Sequence, residues 1–311
     1  MSSINRYQGV DPVLTNVSIG YQNAAYIAEL LYPTLPVSKQ SGKHFVYDKG
    51  RFRINDNKRG AGAASKEVTL DLTTGNPYFC EDHALKQFVT DEDVDGAVPP
   101  MDPMVDATEN VTEMHMVERE NTLATALTDT AVLTQNTTLS GASQWSDYTN
   151  SDPFTNIETA KQTIHESIYV DPNTLVLGKQ VWDKLKHHPA FLERVKYSQK
   201  GVISEDLLAS LVGVDRVIIA AAGKNSAVEG QTDSMAYIWG KHAILAYINP
   251  RLGQKMITLG LTYQWKTRKV ERLRGTNEED RKGAYVRVGD HYYDMNLVSA
   301  SAGYLVKNAV A

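Results

Sequence analysis

The sequence has little of what usually announces a chemistry. It holds one cysteine, Cys80, which excludes an internal disulfide framework and fits a reducing compartment. No apolar run approaches the roughly 18 to 20 residues that a membrane-spanning helix needs. The opening MSSINRYQGVDPVLTN has no apolar core that could serve as a signal peptide. The expectation is a soluble chain, made in the cytoplasm, with no membrane partner. Excess positive charge is missing too. Against 37 Asp and Glu stand 32 Lys and Arg, a formal net charge of -5, so a grip on nucleic acid by bulk electrostatics is not expected.

Catalytic signatures are equally scarce. The eight histidines form no H-E-x-x-H pair, and no second cysteine completes a zinc set. There is no G-x-S-x-G elbow. Gly223-Lys224-Asn225 lacks both the leading glycine and the hydroxyl of a phosphate loop, and reads as a strand-ending turn. Asp91 to Gly96 fits the first half of a calcium loop, with Asp102 at the twelfth position. Aspartate is too short to replace the usual bidentate glutamate there, and Pro99 and Pro100 interrupt the second half. An acidic lead-in to a helix is the other reading of that run. No catalytic, cofactor or metal site is expected.

What is present is a folded chain of uneven design. At 311 residues, 42% hydrophobic, it can bury one large core or two modest ones. Residues 1–40 read as an extended arm with one apolar-periodic stretch, Ala24 to Leu31, stopped by Pro33. Residues 41–76 read as a projecting hairpin. The alternating runs HFVYD and EVTLDL flank a basic, glycine-rich tip containing Lys43, Lys49, Arg51, Arg53, Lys58 and Arg59. Apolar residues near helical spacing, among them Ala107, Val111, Met114, Val117, Ala124 and Leu127, predict a long helix over 103–133. From 150 to 250 strands and helices alternate: NIETAKQTIHESI, PNTLVLG, KQVWDKLKHHPAFLERV as one helix, SEDLLASLVG and DRVIIAAAG. The last third is strand-rich, with LGLTYQW and GAYVRVGDHYYDMNLVS. The class is α+β.

The order of these elements resembles the major capsid proteins of tailed bacteriophages, whose HK-type shell fold is shared with encapsulins. Three stretches carry the resemblance: DEDVDGAVPPMDPMVDATENVTEMHMVERENTLATAL, then PNTLVLGKQVWDKLKHHPAFLERVKY with ISEDLLASLVGVDRVIIAAAGKNSA, then YIWGKHAILAYINPR before LGLTYQW. It implies an N-terminal arm over 1–38 and an extended loop over 39–76. It implies a peripheral domain from 77–149 and 256–299, with its spine helix at 103–133, and an axial domain from 150–255 and 300–311. The implied function is a non-enzymatic subunit that assembles with copies of itself into hexamers and pentamers of an icosahedral head, a virion component enclosing double-stranded DNA. Portal, scaffolding and decoration proteins are the implied further partners; arm-like sequence from Ser2 implies a separate scaffolding protein or none. An encapsulin-like compartment shell is the alternative within the fold, and an α/β enzyme the alternative outside it. Between subunits, the loop arginines Arg51, Arg53 and Arg59 are expected to meet Glu118 and Glu120 on a neighbour's spine.

Overall fold

The computed structural model describes residues 9–21, 23, 25–47, 53–67, 72–195, 203–228, 230–251, 253, 256–273 and 282–311. In chain order, strand β1 (Gly9–Val10) leads into helix α1 (Pro12–Gly20), then α2 (Ala28–Leu31) and β2 (Thr34–Pro36). Strands β3 (Ser41–Tyr47) and β4 (Leu72–Phe79) flank the hairpin tip, and β5 (Glu81–Thr90) runs into α3 (Asp91–Gly96) and the long α4 (Pro103–Leu127). Next come β6 (Asn136–Thr138), α5 (Pro153–Ile168), β7 (Thr174–Gly178), α6 (Lys179–Leu185), α7 (Pro189–Val195), α8 (Glu205–Val212) and β8 (Arg216–Ala220). The rest is strand: β9 (Gly223–Asn225), β10 (Met235–Tyr237), β11 (Ala243–Ala246), β12 (Gly260–Lys266), β13 (Lys269–Leu273), β14 (Gly283–Leu297) and β15 (Gly303–Lys307).

Three helices start in the same way. Asp11, Asp102 and Asp152 each accept a first-turn backbone N–H, and a proline with no N–H of its own follows each of them. Helix α4 stops at Leu127 rather than at 133. Thr128, Asp129 and Thr130 are weak helix formers, and Asp129 turns the chain by accepting from Ala131 N at 2.9 Å through its side chain. That turn delivers Leu133 into the core, where it is fully buried. The helix expected over 179–195 is two. Pro189 cannot continue α6, and the buried His188 takes the N–H of Ala190 on Nδ1 at 3.2 Å. The calcium-like run is helical: Thr90 caps α3, its hydroxyl accepting from Asp93 N at 3.0 Å. Gly223 to Asn225 is not a turn but a strand paired with β10.

Two sheets organise the chain. In the larger, β14 is the axis: β5 lines one edge, while β13 and then β12 share the other, with β1 and β2 outermost. Helix α4 packs against β5 and β14. The smaller sheet has the order β6-β15-β11-β7-β8. One of its faces meets α5 to α8 around Trp145, Phe191 and Ile164. Its other face, through Val176, Ile244 and Leu305, meets the C-terminal half of α4 and the segment Ile27 to Tyr32. The N-terminal half of α4 shares a separate cluster with Leu14, Val89, Val286 and Val288.

The described residues between 9 and 37 therefore do not form an extended arm awaiting a partner. Leu14 belongs to one core cluster and Ile27, Leu31 and Tyr32 to another, all nearly free of solvent. The reason is the unforeseen helix α1 and the buried Glu120, whose carboxylate accepts from Ile27 N and Ala28 N at the start of α2.

Candidate functional site

Two features set this chain apart from a self-contained globule: a hairpin that leaves the body, and a spine helix that gathers the arm. β3 and β4 pair antiparallel from Ser41↔Phe79 to Tyr47↔Leu72. Beyond them, every residue of 53–67 is exposed. Ile54 is as exposed as in an extended chain, at 101%. The contacts of the tip are local: Lys66 Nζ to Asp56 Oδ2 at 2.7 Å, and Lys58 N to Asp56 Oδ1 at 3.1 Å. An apolar side chain and the cations Arg53, Lys58 and Arg59 thus stand clear of their own body. Arg51 lies outside the described residues.

The two acidic residues expected to face the loop of a neighbour have different fates. Glu118 is exposed, its carboxylate accepting from Thr122 Oγ1 at 3.2 Å. Glu120 is fully buried and bonded within its own chain, so it offers nothing to a neighbour. It accepts Trp239 Nε1 at 2.5 Å and Ala28 N at 2.8 Å, and both of its oxygens lie 3.1 Å from Ile27 N. These donors are the first N–H groups of α2 and the indole of a fully buried tryptophan. Burial pushes the Glu120 carboxyl above its usual value, opposed by the hydrogen bonds from Trp239, Ile27 and Ala28.

Glu120 is one of a ladder. Along α4, Thr112 Oγ1 meets Ser18 Oγ at 2.9 Å, and Glu113 accepts Asn23 Nδ2 at 3.2 Å and the Tyr26 hydroxyl. Arg119 Nη1 pairs with Glu29 at 2.6 Å. Successive turns of the spine thus hold successive residues of the arm. Sequence reasoning placed Glu120 on the solvated face, yet a signal was there: Glu120, Leu123, Ala124 and Leu127 share one stripe at helical spacing. Thr108 and Thr112 line the same buried side, their hydroxyls bonding back to Met104 O and Thr108 O. Met114, read as apolar stripe, is exposed.

At the head of the spine, a cavity of about 600 Å³ lies between β5, α3 and α4. Glu92, Asp93 and Asp106 line it beside Val98 and Met101, which are themselves exposed. This is an acidic, partly apolar recess. Among the described residues no group of His, Cys, Asp or Glu is arranged to hold a metal ion. Cys80 is buried, which raises its thiol, and it lies 3.5 Å from the Tyr263 carbonyl.

The chain resembles known proteins over its whole length. Residues 107–219 match the family described as phage major capsid protein E. The major capsid protein of Burkholderia phage BcepMu is 31% identical over 310 residues, 98% of each chain. That of Pseudomonas phage JBD67 is 31% identical over 314 residues, 97% of each chain. A phage-related protein from Bordetella bronchiseptica superposes with a TM-score of 0.76 at 28% identity, covering 97% of this chain and 98% of that one. The capsid of cyanophage P-SCSP1u, at 11% identity, superposes with a TM-score of 0.65 over 93% of this chain and 89% of its own, which extends the same fold. The α+β architecture with a long helix lying along a long-stranded sheet is therefore the HK-type shell fold, and the chain belongs to the bacteriophage major capsid proteins.

Proposed function

We propose that this capsid subunit closes an icosahedral phage head, in hexamers and pentamers, around double-stranded DNA that it contains without sequence-specific contact. The observation that carries this reading is the hairpin tip: 53–67 buries nothing in its own chain. A basic and partly apolar segment so placed gains its burial only on another copy. We assign 39–76 as the loop that reaches a neighbour and 1–38 as the arm. The larger sheet with α4 supports a peripheral domain over 77–149 and 256–299, and the smaller sheet an axial domain over 150–255 and 300–311. Arg53 and Arg59 are assigned to acidic groups of a neighbouring copy, with exposed Glu118 and the recess of Glu92, Asp93 and Asp106 as complementary surfaces. A structural rather than catalytic role, assembly in the host cytoplasm, and portal, scaffolding and decoration proteins as partners belong to the same reading.

Electron microscopy of the purified chain tests it. Closed shells or rings of five or six support the proposal; a monodisperse monomer at high concentration overturns it. Double charge reversal, Arg53→Glu with Arg59→Glu, should abolish shells while leaving circular dichroism and the melting temperature unchanged. Normal shells from that variant would remove the loop from the interface. Shells that hold a cargo protein in place of DNA would turn the reading toward a cellular compartment.

A further inference from the structure

Beneath α1 and α2, where the arm crosses the spine, lies a half-enclosed cavity of about 230 Å³. Arg119 and Arg268 enter it from opposite elements, the spine helix and the turn between β12 and β13, with His291 on the sheet between them. Arg119 gives Nη1 to Glu29 at 2.6 Å and Nη2 to Thr262 Oγ1 at 3.3 Å, while its buried Nε has no partner. Arg268 gives one Nη2 bond, to Ser18 O at 2.5 Å, and no carboxylate pairs with it among the described residues. The one acid near it is Glu29, whose charge favours the Arg268 guanidinium without bonding it. His291 Nε2 accepts from Gln264 Nε2 at 3.0 Å, and Glu29, the single acid of the lining, is turned mostly to solvent and already holds Arg119. The cavity therefore carries two guanidiniums against one carboxylate.

Two guanidiniums that share one mostly solvated carboxylate are under-compensated, because desolvation is only partly repaid. The guanidinium fork has donors to spare for two parallel bonds to an oxyanion. The volume decides what kind of ligand fits. It lies below the roughly 300 to 1,000 Å³ typical of sites for drug-sized molecules, yet exceeds several water volumes of about 30 Å³. Ile19 and Met116 make part of the lining apolar, and the charged groups Arg119, Arg268 and Glu29 stand among Thr34, Thr262, Gln264 and Thr267.

We propose that this cavity binds one small oxyanion, a phosphate or a carboxylate, between Arg119 and Arg268. The site ties the arm to the spine and the sheet at one point, because α1 contributes the Ser18 carbonyl, α2 contributes Glu29, and the two arginines come from the other two elements. Burial lowers the Arg268 guanidinium below its usual range, with Glu29 opposing and Arg119 adding to the shift, and a bound anion would act in the same sense as Glu29. The inference does not depend on the assembly reading. The shared chemistry has two sources in a shell, a free anion or a carboxylate side chain from a second copy.

The full chain, held as unassembled subunits, should be titrated with inorganic phosphate at constant ionic strength, with chloride as the balancing salt. The melting temperature should rise saturably with phosphate, and ³¹P line broadening should report one site per chain. Arg268→Gln should raise the phosphate midpoint by at least about tenfold, the loss of one charge-assisted pair. Because Arg268 also holds the Ser18 carbonyl, Glu29→Gln is the second variant. It keeps the Ser18 bond of Arg268 and a side chain of the same size while removing the competing acid, so its phosphate midpoint should fall several-fold. A response equal to that of chloride alone, an Arg268→Gln midpoint equal to that of the natural chain, or a Glu29→Gln midpoint that does not fall would each overturn the proposal. Phosphate uptake by both subunits and closed shells supports a free anion as the occupant. Uptake by subunits alone supports a carboxylate of a neighbouring copy.

Discussion

Replacing Glu120 by alanine removes the acceptor of three buried donors at once: Ile27 N, Ala28 N and Trp239 Nε1. A buried donor left unpaired costs about 1–3 kcal/mol, so the sum is about 3–6 kcal/mol if water fills only part of the gap. Glutamine separates the hydrogen bonds from the charge. Its oxygen can keep Trp239 and Ile27, while its amide then faces the N–H of Ala28, so one donor of the three is lost, at about 1–3 kcal/mol. Part of that is offset because the ionised carboxylate is itself disfavoured by burial. The sign follows from the raised pKa of the folded state. Stability from protonated Glu120 is present in full below about pH 4.5 and declines as pH rises through the raised value. Glutamine cannot ionise, so the deficit of Glu120→Gln should shrink between pH 4.5 and pH 7. The assay is urea denaturation of unassembled subunits, followed by tryptophan fluorescence and circular dichroism. A loss under about 1 kcal/mol for Glu120→Ala, or equal losses for the two variants, would refute the anchor.

Acid should loosen the same region. Burial first, then neighbouring arginines, depresses His291 to about 3, and burial also lowers His83 and His115. Neutral His291 thus contributes stability above pH 6.5 that is lost as pH falls; between pH 6.5 and 5 the loss is about 1–2 kcal/mol after discounting for partial exposure. Urea midpoints at pH 7 and pH 5 read this directly, and His291→Gln should flatten the slope. Gly178→Ala would put a methyl 2.2 Å from the carbonyl oxygen of Gly240, backbone against backbone, and should cost about 2–3 kcal/mol in denaturant. Gly223→Ala, whose methyl meets nothing nearer than 3.6 Å, is the control and should cost under about 1 kcal/mol. Replacing 53–67 by a short turn should leave the melting temperature of subunits unchanged, since the segment buries nothing, and should stop assembly as seen by light scattering.

Local signals carried much of the architecture. Thr174 to Gly178 reads as a continuous apolar run because both faces of β7 are covered, and it is buried at every position. Gly213 closes α8 in the left-handed region at φ 71°, as a helix-ending glycine does. The first hairpin strand was legible in HFVYD, whereas its partner runs over Leu72–Phe79, starting at the last residue of the EVTLDL run, of which residues 68–71 lie outside the described residues. What failed was non-local. A glutamate among charged neighbours looks solvated until Trp239, 119 residues away, is seen to bond it. Helix α1 was missed although Asp11-Pro12 announces it as Asp102-Pro103 announces α4. The ambiguity is real: Asp171-Pro172 is the same pair, and it precedes the strand β7 while Asp171 bonds His165 at 2.9 Å. Only the apolar face that α1 turns to the spine distinguishes the two cases, and that face needs the partner helix to be recognised.

The misread arm changes where the energetics of assembly must lie. An arm that orders only on a neighbour would carry much of the ordering entropy of the shell. Here Leu14, Ile27, Leu31 and Tyr32 are already buried in their own chain, and Thr112, Glu113, Arg119 and Glu120 already hold the backbone and side chains around them. That cost is met on folding. The loop tip is the reverse case, with about 15 residues and only local contacts. Fixing such a segment costs about 1–2 kcal/mol per residue, or about 15–30 kcal/mol in all, less whatever its local bonds already restrict. At about 25 cal/mol per Å², burial of roughly 600–1,200 Å² offsets it, which brackets the roughly 800 Å² per partner of an ordinary stable interface. The tip can therefore be ordered by contact with one neighbour but contributes little net affinity by itself. Net attraction must come from surfaces that are rigid before contact, and the acidic recess at the head of the spine, built on β5, α3 and α4, is such a surface.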